Sequence, residues 1–242
     1  MAQLVLSLFP GMDLFGMAFE MEGFVVVKGP DILMGGDIRK WHSLEGKFDG
    51  IIGGPPCKSF SKAISGAGGS EFATQGNLIP EFERIVEESK PKWYVMENVK
   101  AAPIPFYNTE VDFIFRCQSY NLLDAWECGS SQHRIRRFSS NLWLKPKPIS
   151  VSERHPDPWP TVTATEYKMS AGSNERAQRQ RAGRKVGRKM TLQEVNEAMG
   201  LPSDFETPAL TNAMSYQVRG NGVPIPLGRT IARAVKEALI QG

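Results

Sequence analysis

Short apolar runs alternate with amphipathic segments over the first 145 residues of the chain. Runs such as QLVLSL at 3–8 and WYVM at 93–96 predict buried strands, whereas LFGMAFEM at 14–21 has helical spacing. The pattern predicts strands at 3–8, 24–27, 49–52, 93–96, 122–127 and 138–144, and helices at 14–21, 78–89, 110–118, 191–199 and 226–240. Strands that alternate with helices predict an α/β fold, a mostly parallel sheet with helices on both faces.

Periodicity divides the chain into three parts. Residues 1–144 carry the α/β pattern, and residues 145–187 are rich in Pro, Ser, Thr and Arg with weak periodicity. Order returns over residues 188–242, where Thr191 and Glu194 form the sequence pattern of a capping box.

Composition restricts the class of protein. Apolar residues make up 41% and charged residues 23% of the chain, which is ordinary for a soluble globular protein. No apolar run approaches the roughly 20 residues that cross a bilayer, and the N-terminus predicts a strand rather than a signal peptide. Three cysteines form neither a disulfide framework nor a zinc site. We therefore expect a cytoplasmic protein without a bound metal.

Charge is concentrated in one segment. Residues 176–189, RAQRQRAGRKVGRK, contain seven of the 29 basic residues and no acid, so the rest of the chain has 22 basic and 26 acidic residues. The segment is either a solvated face or a stripe that contacts phosphates.

Four unusual sequences fall where predicted strands end: FPGMD at 9–13, PD at 30–31, GGPPC at 53–57 and ENV at 97–99. Ligands of open α/β sheets bind beyond the carboxyl ends of the strands. The sequence therefore predicts one site to which all four segments contribute.

Cys57 is the candidate nucleophile. Two prolines before it fix φ and stiffen the turn, which would aim the thiol, although a small buried hydrophobe is the ordinary reading of a cysteine. Glu97 ends an apolar strand, where a carboxylate needs a partner. Arg134 and Arg136 alternate along one side of an extended segment and could bind an anion or a polarised carbonyl.

Taken together and in this order, FPGMD, PPCKSFS, ENV, QHRIRR and GNGVP resemble the DNA cytosine-5 methyltransferase family, in a compact form similar to phage or prophage members. The resemblance covers residues 3–138 and 188–240. It implies the Rossmann-like fold of S-adenosylmethionine-dependent methyltransferases. It also makes 1–144 the catalytic core, 145–187 a very small target-recognition lobe and 188–242 a return to the core.

The resemblance implies a covalent mechanism. Cys57 would attack carbon 6 of a cytosine flipped out of duplex DNA. Glu97 would hold and protonate the ring, Arg134 and Arg136 would orient the base carbonyl and Glu97, and carbon 5 would accept the methyl group.

The resemblance also implies binding residues. The expected S-adenosylmethionine contacts are Phe9, Gly11, Met12, Asp31, Ile32, Asp37, Ile38, Pro55, Asn221 and Val223. The expected DNA contacts are Lys58, Ser59, Ser61, Gln132, Arg176, Arg179, Arg181, Arg184 and Lys185. The family usually has a second glycine near Asp13, which this chain lacks.

Three other functions stay open at the level of sequence. The same chemistry could act on a tRNA, and a relative without catalysis could tether DNA, although loss of Cys57 or Glu97 would be expected there. A nicotinamide-dependent oxidoreductase would need a GxGxxG turn after the first strand, which FPGMDLFG does not supply. We expect a monomer that works alone or beside a restriction endonuclease with which it makes no complex.

Overall fold

The computed structural model describes residues 2–56, 76–107, 112–159, 161–163 and 190–241. These residues form one six-stranded sheet with the strand order β2-β1-β3-β4-β6-β5. The strands are β1 (Leu4–Leu8), β2 (Val25–Lys28), β3 (Gly50–Gly53), β4 (Trp93–Asn98), β5 (Ser119–Asp124) and β6 (Ile135–Ser140). The α-helices are α1 (Leu14–Met21), α2 (Ile79–Ser89), α3 (Leu192–Met199), α4 (Asn212–Asn221) and α5 (Ile225–Gln241).

The sheet is mixed and mostly parallel, as predicted. Strand β1 pairs in parallel with β2 and β3, and β3 pairs in parallel with β4. Strand β6 runs antiparallel to both of its neighbours, β4 and β5. The carboxyl ends of β1, β3 and β4 therefore meet at one edge of the sheet.

Helices cover both faces of the sheet, and alternation along the strands explains why. Val5, Ile52 and Val95 belong to a cluster with α1 and α5, while the neighbouring residues Leu6 and Ile51 pack with α2 on the other face. Successive strand side chains point to opposite faces, so strands buried on both faces are continuously apolar, as β3 is.

The C-terminal helices form a third cluster against α1. Val195 and Met199 of α3 and Tyr216 of α4 pack with Leu14 and Ala18 of α1. Thr191 caps α3 with the predicted capping box. The cluster brings the GNGVP segment, at the end of α4, to the same sheet edge as the loop after β1. Over the described ranges, no helix is both long enough and apolar enough to cross a membrane.

Several predicted elements differ from the structure. Among the described residues, the helix expected at 110–118 is only a 3₁₀ turn at Phe113–Phe115. Phe115 is its buried residue, and the Phe115 carbonyl accepts a hydrogen bond from the Tyr94 hydroxyl. The strand expected at 122–127 lies at Ser119–Asp124. The strand expected at 138–144 lies at Ile135–Ser140 and so begins three residues earlier. Its start includes Arg137, whose guanidinium donates to the buried carbonyl of Ala102. Helix α4, a polar sequence, was not predicted.

Candidate active site

A cavity of about 210 Å³ lies at the sheet edge where β1, β3 and β4 end. Its walls include every residue expected to bind the cofactor: Phe9, Gly11, Met12, Asp31, Ile32, Asp37, Ile38, Pro55, Asn221 and Val223. Glu97, Arg134 and Arg136 line it as well. The structure thus brings together side chains that lie more than 200 residues apart in the sequence.

Three residues of the loop between β1 and α1 have a left-handed backbone conformation. Phe9, Gly11 and Asp13 have φ angles of 54°, 55° and 62°. An added Cβ at Gly11 would meet no atom within 4 Å, so this glycine borders open space. Asp13 is among the few residue types that adopt this conformation readily, and its carboxylate caps α1 by accepting from the Gly16 N–H.

Asp31 ties the loops after β1 and β2 together. Its Oδ2 accepts from the Gly11 N–H at 2.8 Å, and its Oδ1 accepts from the Leu33 N–H at 2.9 Å. Each carboxylate oxygen has a second lone pair, so Asp31 could accept further hydrogen bonds from a ligand while it holds the loop.

Asp37 starts the short 3₁₀ turn Ile38–Lys40 and pairs with Arg39. Its Oδ1 lies 2.9 Å from the Arg39 Nε, and its Oδ2 lies 2.9 Å from the Arg39 Nη2. These hydrogen bonds hold the pKa of the Asp37 carboxyl below its usual range. The two parallel hydrogen bonds between the Arg39 guanidinium and the Asp37 carboxylate hold both side chains at the cavity rim.

The turn after β3 is anchored from β4. The Asn98 Nδ2 donates to the carbonyl of Pro55 at 3.2 Å, and Asn98 is only 1% exposed. An added Cβ at Gly54 would lie 3.1 Å from the Glu97 Oε2. The glycine lets the turn approach Glu97 closely, and the asparagine holds it there.

Several predicted residues lie outside the described part of the chain. Cys57 directly follows the last described residue of the turn, Pro56. The others are Lys58, Ser59, Ser61, Arg176, Arg179, Arg181, Arg184 and Lys185. Their predicted roles remain predictions.

Glu97 is a buried carboxyl with one close cation. Its Oε1 lies 2.9 Å from the Nε of Arg136, and the residue is 8% exposed. Burial raises the pKa of Glu97 above its usual range, although Arg136 and Arg134 act in the opposite direction. The site therefore favours a carboxyl that can hold a proton.

Arg134, which directly precedes β6, has a different environment from Arg136 within the strand. It is 3% exposed. Its guanidinium donates to the carbonyls of Val162, Gly220 and Gly222 at 2.9, 2.9 and 3.1 Å. Arg134 therefore connects β6 to the GNGVP segment, a link that the sequence did not predict.

Gln132 does not lie where a DNA contact would require it. The side chain is 0% exposed. Its Nε2 donates to the Ala198 carbonyl at 2.6 Å, and its Oε1 accepts from the Val162 N–H at 3.0 Å. The amide is fully used inside the protein, so the expected DNA contact at Gln132 is wrong.

Arg137 supports the site from outside the cavity wall, a role that the sequence did not predict. Its guanidinium donates to the carbonyls of Lys100, Ala102 and Pro103 at 3.1, 2.6 and 2.7 Å. It thereby holds the segment that follows Glu97. The only signal in the sequence was a third arginine in QHRIRR, and its neighbours gave no sign that its partners would be carbonyls.

The fold defines the class of protein. The mixed six-stranded sheet with its helices is the Rossmann-like fold of S-adenosylmethionine-dependent methyltransferases. The methyltransferase EhMeth of Entamoeba histolytica has a solved structure that matches with a TM-score of 0.64 over 99% of both chains, at 14% identity. Similarity at this level of identity concerns the fold.

The family follows from a sequence model. The model described as C-5 cytosine-specific DNA methylase matches residues 28–153 and 149–237. The chain belongs to this family.

Two curated relatives show how the chain compares in length. The type II methyltransferase M.FnuDI of Fusobacterium nucleatum is 36% identical over 183 residues, which are 62% of this chain and 52% of the relative. The chain thus spans about half the length of this relative. M.NgoPII of Neisseria gonorrhoeae is 23% identical over 331 positions, covering 97% of this chain and 96% of the relative. Those 331 positions exceed the 242 residues here, so that relative carries segments which this chain lacks.

Proposed function

We propose that this protein transfers a methyl group from S-adenosylmethionine to carbon 5 of a flipped-out cytosine in duplex DNA. The observation that carries the proposal is the buried Glu97, paired with Arg136 at 2.9 Å beside the turn that leads to Cys57. A carboxyl whose pKa is raised by burial, beside the turn that precedes Cys57, suits acid-assisted covalent chemistry. Membership of the family supports the same conclusion.

The cavity fits the cofactor. Gly11 borders open space and would lie against the methionine part, and Asp31 keeps acceptor capacity for the ribose hydroxyls. Phe9 and Ile32 would pack on the adenine, with Asp37 and Ile38 near its edge. The remaining expected contacts are Met12, Pro55, Asn221 and Val223. The bound cofactor would supply the methyl group as an electrophile.

Cys57 would act as the nucleophile. Its thiolate would form a bond to carbon 6 of the cytosine, and the ring electrons would shift toward the ring nitrogen and carbon 5. The anchored turn before Cys57 supports this role, because Asn98 holds the Pro55 carbonyl. A thiol with a pKa of about 8.5 reacts slowly at neutral pH, so a nearby cation would accelerate the step.

Glu97 would supply the proton. As the thiolate adds, the Glu97 carboxyl would protonate the ring nitrogen and hold the exocyclic amine. Carbon 5, then electron-rich, would form a bond to the methyl carbon as its bond to the sulfonium sulfur breaks, which would leave S-adenosylhomocysteine. Loss of the carbon-5 proton and departure of Cys57 would release 5-methylcytosine. Arg136 would keep Glu97 in place, and Arg134, through its bonds to the Gly220 and Gly222 carbonyls, would position the cavity wall.

We also propose that the recognition lobe is reduced. The family model matches in two pieces that meet at residues 149–153, which suits a shortened segment there. Sequence discrimination requires several side chains at base edges, whereas a basic run such as 176–189 would bind phosphates of any sequence. We predict a short recognition sequence or loose specificity. Exclusive methylation of one site of six or more base pairs would contradict this.

The test is transfer of a tritiated methyl group from S-adenosylmethionine to unmethylated DNA. We expect label in 5-methylcytosine with the wild type and none with Cys57→Ser. Cys117→Ser is the matched control, because Cys117 makes a hydrogen bond to the Ser119 carbonyl away from the cavity. Equal labelling by Cys57→Ser would overturn the covalent mechanism.

The same assay separates the alternatives. A tRNA offered in competition with duplex DNA would take the label if RNA were the substrate. Cofactor binding without label on either nucleic acid would indicate a non-catalytic DNA-binding relative. We propose a cytoplasmic monomer, which need not contact a restriction endonuclease even where one accompanies it.

A further inference from the structure

Asp13 is a buried carboxylate in the cavity wall that the proposed reaction does not use. It is 3% exposed and lines the cavity at the start of α1. Its Oδ1 accepts from the Ser7 hydroxyl at 2.6 Å and from the Gly16 N–H at 3.0 Å. Among the described residues, no group donates a hydrogen bond to Oδ2.

No cation of the described residues pairs with Asp13, whereas other carboxylates of the cavity have partners. Asp37 pairs with Arg39, and Glu97 pairs with Arg136. The third guanidinium of the cavity, Arg134, donates to backbone carbonyls. Asp31, the other carboxylate without a cation, already accepts a backbone N–H at each oxygen. Of these four carboxylates, Asp13 is the only one in the described structure that has neither a cation partner nor a donor at each of its oxygens.

A buried anion of this kind favours a cationic ligand. Burial raises the pKa of Asp13, while the Ser7 hydroxyl and the more distant Lys28 lower it in part. Lys28 is exposed and forms no ion pair with Asp13 in the described part of the chain. A buried carboxylate is costly unless it is paired, so a positive group in the cavity would be stabilised by Asp13.

We propose that Asp13 binds a positively charged group of the cofactor's methionine part, and so selects the charged cofactor over neutral adenosine compounds. The inference rests on the proposed function. The methionine part carries two positive groups, the ammonium and the sulfonium, and either would satisfy the Oδ2. Asp13 acts here as a binding residue, and the methyl transfer chemistry stays with the residues described above.

The experiment compares ligand binding by calorimetry. Three ligands differ in charge: S-adenosylmethionine has both positive groups, S-adenosylhomocysteine has only the ammonium, and 5′-methylthioadenosine has neither. In Asp13→Asn, the amide oxygen can still accept from Ser7 and Gly16, and asparagine tolerates a positive φ. We expect the affinity for S-adenosylmethionine to fall roughly tenfold and that for methylthioadenosine to change by less than about twofold.

Asp37→Asn is the matched control. It removes one carboxylate from the same cavity, but Asp37 is expected near the adenine, which all three ligands share. It should therefore change the affinities for S-adenosylmethionine and methylthioadenosine by the same factor. Asp13→Gly is a second variant that removes the charge, because glycine adopts φ 62° without strain.

Each outcome decides a different question. Loss of S-adenosylhomocysteine binding in Asp13→Asn would identify the ammonium as the partner, and unchanged binding would identify the sulfonium. Equal changes for S-adenosylmethionine and methylthioadenosine in the Asp13 variants would overturn the inference alone. A wild type that binds none of the three ligands would overturn the proposed function.

Discussion

The parallel strands and the antiparallel strand β6 build the same cavity from different chemical groups. The loops after β1 and β2 contribute left-handed backbone, open space at Gly11 and the carboxylates of Asp13 and Asp31. Strand β6 and the residue before it contribute the guanidinium groups of Arg136 and Arg134, which bind Glu97 and backbone carbonyls respectively. One side of the cavity is shaped by local conformation, and the other is shaped by contacts between distant segments.

This difference predicts which substitutions change ligand affinity and which change the stability of the fold. The loops of the parallel side need only their own backbone and an adjacent loop to keep their form. The arginines in and directly before β6 join segments that are separated by as many as 88 residues, as between Arg134 and Gly222. We therefore expect changes on the parallel side to alter ligand affinity, and changes at Arg134 to alter the stability of the whole protein.

The largest expected effect is that of Glu97→Gln. Glutamine cannot donate the proton of a carboxylic acid, so we expect methyl transfer to slow by about a thousandfold. Glu83→Gln is the control, because Glu83 is another carboxyl whose pKa burial raises, and it lies on α2 away from the cavity. Initial rates with tritiated cofactor measure both. A similar loss in the two variants would show that Glu97 acts only through the fold.

Next in size is the contrast between Arg134→Met and Arg136→Met. Arg134→Met leaves three carbonyls without their donor, and we expect the free energy of unfolding in urea to fall by about 2–4 kcal/mol. Arg136→Met leaves Glu97 without its cation but allows it to take a proton, so the expected loss is about 1 kcal/mol. Equal losses would remove the distinction between a connecting arginine and a site arginine.

The pH dependence sharpens that contrast. Removal of Arg136 takes away a partner that lowers the pKa of Glu97, so this raised pKa rises further. Below the usual pKa of 4.5, the carboxyl is neutral in both states and the variant should match the wild type. The deficit of the variant grows as the pH rises through the raised folded pKa of the wild type toward the still higher folded pKa of the variant, because the folded variant continues to resist ionisation there. The deficit of Arg134→Met should persist at both ends of this range.

Gly16→Ala tests the local character of the parallel side. An added Cβ at Gly16 would overlap both carboxylate oxygens of Asp13. We expect a loss of about 1–3 kcal/mol in the wild type. In an Asp13→Gly background the clash is absent, and alanine should stabilise α1 by about 0.5–1 kcal/mol relative to glycine. A double-mutant cycle by urea unfolding measures the coupling; additive effects would contradict it.

The smallest expected effect is that of Glu22→Gln, at the end of α1. The Glu22 Oε1 pairs with Arg229 at 2.7 Å and with Arg233 at 3.1 Å on α5. Burial alone would raise the pKa of Glu22, but these two arginines lower it overall. Because the side chains of Arg229 and Arg233 are 39% and 53% exposed, solvent screens both pairs, and we expect a loss of only about 0.5–1 kcal/mol at neutral pH.

The ionised Glu22 stabilises the fold above its unfolded pKa of 4.5, and this contribution disappears as the pH falls through the lower folded value. Thermal midpoints measured across that range should therefore converge for the wild type and Glu22→Gln in acid. A constant difference would assign the effect to packing.

The sequence alone determined the sheet, the two-sided layering and the position of the cavity. Continuous apolar runs such as 93–96 predict buried strands. Turn residues such as Pro55 and Gly11 predict that the cavity lies at the ends of these strands. These signals are local, because they depend on each residue's own conformational freedom and burial. The helix expected at 110–118 is only a 3₁₀ turn among the described residues, because Phe113 and Ile114 are exposed there and only Phe115 is buried.

The hydrogen-bond and ion-pair partners of the polar side chains became visible only in the folded structure. Arg134, Arg136 and Arg137 are almost adjacent in sequence, yet they bind the C-terminal carbonyls, Glu97 and the segment after Glu97 respectively. Gln132 looked available to DNA and is buried instead. A hydrogen bond depends on atoms that long-range packing brings within about 3 Å. No local pattern contains the position of a partner 30 or 86 residues away.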